Sequence, residues 1–377
     1  MPHTIGEVSS LKEKLTHFFS SRTGIILTGC FIGVFAALLS VWGNPANMGI
    51  CVACFERDIA GALGLHRADV VQYLRPEIPG FVLGSMIAAY IFGEFKARSG
   101  SAPAVRFVLG FFAMIGALAF LGCPWRALLR LAGGDLNAVV GIAGLTAGIA
   151  VGVAFLRSGY TLGRSRPDNQ AAGLVMPAVM VLFLVLLVAD FPALFRSSAG
   201  PGSMSAPLVI SLTVSLGVGF LAQRTRFCTM GSVRDVLLMR DTHLLSGIVA
   251  LLLSAAAVNL VFGRIDFGFA LQPVAHSNHL WNFLGMFLAG LAFCLAGGCP
   301  GRQLILSGEG DGDSTVFVLG MIAGAAISHN FGFAGKPDSL AGGSLKVGGV
   351  SPYGMAAVLM GIAVCMFIGF AMKERKI

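Results

Sequence analysis

The chain has 377 residues, of which 56% are hydrophobic and 12% charged, with 51 glycines and a formal net charge of +8. Soluble domains are roughly a quarter charged, so this composition excludes an ordinary globular enzyme and indicates close-packed, Gly-rich membrane helices. The 26 Lys and Arg stand singly between apolar runs, without a basic block or nucleic-acid motif, so the lipid bilayer and not a nucleic acid is the expected partner.

An N-terminal segment, 1–23, carries Lys12, Lys14 and Arg22 ahead of the first apolar run at 24–43. That run is longer than a signal h-region and has no clear cleavage site, so it reads as a transmembrane helix. Uncharged runs follow at 79–93, 107–121, 138–156, 171–189, 206–222, 244–262, 280–297, 315–328 and 353–372. The expected fold is an all-α polytopic membrane protein with nine to ten spans, the runs 79–93, 107–121 and 315–328 being the short ones. A cytoplasmic N-terminus puts 17 of the 26 cations on the inner side. This predicts N-in and C-in, with 373–377 as a cytoplasmic tail.

An internal repeat organises these runs. Gly122-Cys123-Pro124-Trp125-Arg126 recurs as Gly298-Cys299-Pro300-Gly301-Arg302 at an offset of 176. The same offset carries Gly134-Asp135 to Gly310-Asp311, Gly144 to Gly320 and Gly148 to Gly324. At 177, Cys51 maps to Cys228 and Arg57-Asp58 to Arg234-Asp235. Two membrane repeats, 24–190 and 206–372, follow. Five spans in each make the second copy inverted, with short re-entrant or broken helices meeting near the midplane in one integrated transporter domain.

The repeated Gly-Cys-Pro-x-Arg motif places Cys at an N-cap and Pro at the first helical position. The following helix offers free N–H groups and partial positive charge to an anion. Arg126 and Arg302 add full charge and a planar fork, and the thiols of Cys123 and Cys299 are weak donors and soft nucleophiles. A small anion containing sulfur or selenium fits that chemistry. A structural turn with Cys as a small apolar residue is the plain alternative for either copy, although such a turn does not need Cys and Arg in both halves. Cys51 and Cys228 stand six residues before Arg57-Asp58 and Arg234-Asp235, which read as structural ion pairs because intramembrane charges usually pair. Cys51-Val52-Ala53-Cys54 permits a redox dithiol or half a metal site. Its repeat partner has Gly231 in place of Cys54, and His66 alone is close, so no metal is expected. Cys30, Cys294 and Cys365 read as small buried residues. The acidic stretch Glu309–Asp313 lacks EF-hand spacing, and no nucleotide, hydrolase or zincin motif occurs, so neither an enzyme nor a cofactor is expected.

With these segments in view, the chain resembles the YeeE/YedE sulfur-transport family through its paired Gly-Cys loops and Arg224-Thr225-Arg226-Phe227-Cys228…Arg234-Asp235. The stretch Gly49-Ile50-Cys51-Val52-Ala53-Cys54-Phe55-Glu56-Arg57-Asp58, with Gly122–Arg126, is similar to its YedE-type selenium-transporter branch. The resemblance implies an inner-membrane permease of a bacterium in which Cys123, Cys228 and Cys299 match the path-lining cysteines of the thiosulfate-carrying branch. Cys51-x-x-Cys54, Trp125 and Arg126 depart from that branch, which implies a selenium compound or another sulfur species as cargo. A cytosolic sulfur or selenium carrier protein is a candidate partner. Two other readings remain at this point: a membrane thiol oxidoreductase working through Cys51 and Cys54, and a non-catalytic docking platform around Arg224–Arg240.

Overall fold

The computed structural model describes residues 3–374; Arg375 and Lys376 of the expected tail lie outside the described residues. The first helix is α1 (His3–Ser20), which lies ahead of the first apolar run, and α2 (Arg22–Val41) follows. Ser21 separates the two by capping α2, its hydroxyl accepting from Gly24 N–H at 3.1 Å. Next come α3 (Val52–Ala62), α4 (Glu77–Phe92), α5 (Pro103–Phe120), α6 (Pro124–Ala132), α7 (Asn137–Arg157), α8 (Gln170–Gly173) and α9 (Val175–Val188). The second part holds α10 (Leu208–Thr225), α11 (Thr229–Met239), α12 (His243–Val261), α13 (His279–Ala296), α14 (Pro300–Gly308), α15 (Gly312–Asn330) and α16 (Pro352–Ala371). Strand structure is slight. β1 (Arg98–Ser99) pairs antiparallel with β2 (Arg166–Pro167), and β3 (Ser339–Ala341) with β4 (Ser344–Lys346).

Each of the ten apolar runs overlaps a helix, but among the described residues seven segments are long and apolar enough to cross a membrane. The helix α4 has 16 residues and α9 has 14. At about 1.5 Å per residue both fall short of a hydrocarbon core roughly 30 Å thick. Three of these seven segments are broken helices that join a long helix to a short one: Pro103–Ala132, Leu208–Met239 and His279–Gly308. The protein is a multi-pass, all-α membrane protein. Its side chains are arranged accordingly: Val188, Leu260, Val261 and Phe367 face outward, while Arg57, Arg75, Arg126 and Arg130 are fully buried.

Glycine sets how close the long helices come. A Cβ on Gly144 or Gly148 of α7 would collide with the carbonyl oxygens of Phe283 and Phe287 on α13. The contact between α15 and α5 is built in the same way, from Gly320 against Phe107 and Gly324 against Phe111. Small residues that let backbones touch are the usual basis of helix association in lipid, where apolar burial gives little drive.

Helix ends gather at two faces. At the first, Arg22 donates to Thr242 at 2.5 Å, Arg157 to Leu237 O at 2.6 Å and Arg106 to Ala296 O at 3.1 Å. There Arg224 also pairs with Glu94 at 2.9 Å. At the second, Ala206 N–H donates to Asn44 at 2.9 Å, Arg264 to Ser40 O at 2.9 Å and Asn330 to Leu65 O at 2.9 Å. The four short helices α3, α6, α11 and α14 begin in the interior between these faces, each at a cysteine.

Candidate functional site

Two cysteine pairs form where short helices meet N-terminus to N-terminus. Cys51 caps α3, its sulfur accepting from Cys54 N–H at 3.4 Å. The Cys51 thiol in turn donates to Cys123 Sγ, the cap of α6, at 3.7 Å. In the second pair Cys228 Sγ accepts from Gly231 N–H at 3.2 Å, and the Cys228 thiol donates to Cys299 Sγ at 3.7 Å. Cys123 and Cys299 make no side-chain cap bond to their own helices, and Pro follows each at the first helical position. Their sulfurs therefore face the partner cysteine. The positive ends of two helix dipoles converge on each pair, an arrangement that favours negative charge.

The glycine of the Gly-Cys-Pro-x-Arg motif makes room for the arginine four residues on. A Cβ on Gly122 would stand 2.8 Å from Arg126 Cδ, and one on Gly298 3.2 Å from Arg302 Cγ. The two arginines then differ. Arg126 is 0% exposed, and its ends donate to the carbonyls of Leu121, Pro273 (3.1 Å), Val274 (3.2 Å) and Asn47 (3.4 Å) and to Cys54 Sγ (3.8 Å). No carboxylate pairs with it among the described residues. Its fork is spent on the protein, which leaves an uncompensated charge in a low-dielectric interior. Arg302 pairs with Glu309 at 3.2 Å, and it lines a cavity of about 450 Å³ with Cys228, Arg224, Arg226 and Arg234 that opens at the first face.

Both Arg-Asp pairs are ion pairs, Arg57–Asp58 at 2.7 Å and Arg234–Asp235 at 2.8 Å. Asp58 also accepts from Arg75 Nε at 2.8 Å, so two buried guanidiniums share one carboxylate. The involvement of Arg75, 17 residues on, has no counterpart in the motif and is not visible in it. Cys54 stands beside Cys51, whose sulfur accepts from its N–H. The Cys54 thiol donates to Leu121 O at 3.9 Å, while Cys51 pairs with Cys123. Cys294 and Cys365 are buried and Cys30 is half-buried. The acidic stretch after α14 is structural: Glu309 holds Arg302, Asp311 caps α15 through Ser314 N–H at 2.9 Å, and Asp313 accepts from Gly100 and Ser101 N–H. Behind the first face, burial pushes the Glu94 carboxyl up, but hydrogen bonds from Arg224 and Gln223 outweigh it and hold it below its ordinary value.

Residues 224–377 match the family model described as sulphur transport. That range contains Cys228, Arg234-Asp235, Cys299 and Arg302, while the first cysteine pair lies outside it. A 94-residue stretch is 31% identical to the thiosulfate transporter TsuA of Escherichia coli (strain K12). The stretch covers 25% of this chain and 26% of that protein, so the chain spans about a quarter of the length of this relative.

Proposed function

We propose that this chain, which carries the sulphur-transport pattern across residues 224–377, is an inner-membrane permease for a small sulfur- or selenium-containing anion. The observation that carries the reading is the doubling of the site: two buried thiol pairs, each at a junction of two helix N-termini, 3.7 Å between sulfurs in both. An enzyme needs one such site. A path across a membrane uses sites in series, each weak enough to release its ion. The anion is drawn toward Cys51 and Cys123 by Arg126, exchanges hydrogen bonds with the thiols, and passes to Cys228 and Cys299. It leaves through the Arg-lined cavity at the first face, where Glu309 neutralises Arg302 and so weakens retention.

The same reading makes the first face cytoplasmic, with the N- and C-termini inside. Nine to ten helices then enter the membrane, the short α4 and α9 only part-way, in two inverted halves at 24–190 and 206–372. The matching Gly144–Phe283 and Gly320–Phe107 contacts support that symmetry, as does the presence of two cysteine-capped short helices in each half. Cys51-x-x-Cys54 and Trp125 favour a selenium compound, and thiosulfate is the alternative cargo suggested by the relative. A cytosolic sulfur or selenium carrier would accept the anion at the first face. The test is uptake of labelled selenite and thiosulfate by cells producing the protein or its Cys123→Ala, Cys228→Ala and Cys299→Ala variants. Reduced uptake in each variant is expected, and undiminished uptake in all three sinks the relay.

A further inference from the structure

An aromatic seam centred on Trp125 joins the loops that carry the two thiol pairs. The repeated motif holds its largest and smallest side chains at one position, Trp125 in the first copy and Gly301 in the second. In space the two are complementary. A Cβ on Gly301 would stand 2.5 Å from Trp125 Cζ2 and 2.7 Å from Cη2, so the indole occupies the place a side chain at 301 would take. Trp125 follows Cys123 by two residues, and Gly301 follows Cys299 by two. The ring also meets Phe227, the residue before Cys228, with centroids 6.2 Å apart, and Phe81 of α4 edge-on at 5.8 Å. An indole 1% exposed thus touches a neighbour of each cysteine of the second pair while its own backbone starts the helix capped by Cys123.

Its polar atom has nothing to do. Trp125 Nε1 is buried and has no hydrogen-bond partner among the described residues. Buried indole N–H groups usually find one, and an orphaned donor in a low-dielectric interior carries its full desolvation penalty. An anion stripped of water needs such a donor. Packing alone does not account for an unpaired N–H at the seam, since Phe would fill much the same space without the penalty.

We propose that Trp125 is the gate between the two thiol pairs: its ring closes the seam against Gly301 and Phe227, and its Nε1–H donates to the anion as it crosses. This rests on the transport reading and adds a specificity element to it. Small anions that cannot displace the ring are held back, and the cargo offsets ring movement by accepting the indole hydrogen bond. The gate is a feature of the first half alone, because Gly301 leaves the second half without a ring of its own.

The test uses the full-length protein in sealed vesicles, with two readouts. The first is passive iodide flux: Trp125→Ala should leak iodide at least about tenfold faster than the native protein, and Trp125→Phe should stay tight. Trp125→Phe should also move labelled thiosulfate or selenite about tenfold more slowly, the loss expected for one hydrogen bond to a charged group. The second readout is fluorescence of a protein whose sole tryptophan is Trp125, made with Trp42→Phe and Trp281→Phe. Adding thiosulfate or selenite should change its emission. Iodide-tight Trp125→Ala vesicles, native transport by Trp125→Phe, or emission indifferent to both anions each overturn the gate. The fluorescence arm stands if Trp125→Ala does not fold. Native vesicles that take up neither labelled anion refute the transport reading itself, a result separate from the iodide flux.

Discussion

Replacing Arg126 separates its charge from its hydrogen bonds. Arg126→Gln removes both the charge and most of the contacts to Leu121, Pro273 and Val274, whereas Arg126→Lys keeps the charge and loses the same planar fork. Arg126 Nη1 stands 3.8 Å from Cys54 Sγ, so an anion resting against that thiol lies roughly 7 Å from the guanidinium. At an effective dielectric constant of about 20, a unit charge at that range is attracted by about 2.4 kcal/mol, roughly 50-fold in affinity. Each buried carbonyl left unpaired costs about 1–3 kcal/mol of stability in either variant. Equilibrium binding of labelled thiosulfate and selenite to protein in lipid nanodiscs distinguishes the two contributions. Arg126→Lys should bind within a few-fold of the native protein and Arg126→Gln some 50-fold more weakly, with similar losses of thermal stability. Equal affinities for the two variants would refute the argument that the uncompensated charge attracts the anion. Arg302→Gln supplies the contrast, since Glu309 already neutralises Arg302 at 3.2 Å and the loss in affinity should be only a few-fold.

Cys228 is 5% exposed and lines the 450 Å³ cavity at the first face, while Cys123 is 1% exposed. A small membrane-impermeant thiol reagent added to the cytoplasmic side should therefore label Cys228 well before Cys123, and the reverse order contradicts the assignment of the exit. Gly148→Val and Gly324→Val should lower thermal stability by comparable amounts, about 1–3 kcal/mol each for overpacking, because both would strike a facing Phe carbonyl. A neutral result in either, read by thermal unfolding in detergent, argues against the close crossings. Glu94 has a carboxyl held below its ordinary 4.5 by Arg224 and Gln223. Its contribution to stability is complete above 4.5 and is lost as pH falls through the lower folded value. Glu94→Gln should flatten the acid side of a melting-temperature profile, and an unchanged profile removes Glu94 as the group responsible.

Much of this architecture is written locally. Apolar runs mark the long helices because a lipid-facing helix needs an uninterrupted apolar surface, and α2, α7, α12 and α16 begin and end within a few residues of their runs. The offset of 176 that links Gly144 to Gly320 also links their contacts Phe283 and Phe107. Pro124 and Pro300 mark where short helices start, since proline suits a first turn and no interior. What is not legible depends on distance along the chain. Cys51 meets Cys123 across 72 residues, and Cys228 meets Cys299 across 71. The C-x-x-C spacing points to Cys51 with Cys54 and says nothing of Cys123. Arg126 looks like an anion fork until Pro273 and Val274, from the other part of the chain, arrive to occupy it. Trp125 stands out in the sequence as a departure from the motif, but its fit against Gly301 exists only once the two loops face each other. The helix α1 is not marked by an apolar run because polar residues recur throughout its sequence.

The most direct measurement is uptake by reconstituted vesicles, with labelled thiosulfate and labelled selenite supplied separately to native protein and to Cys123→Ala, Cys228→Ala and Cys299→Ala. The thiol-pair account predicts that native protein accumulates at least one of the two anions and that every variant loses most of that uptake. Native-like uptake in all three variants would contradict it.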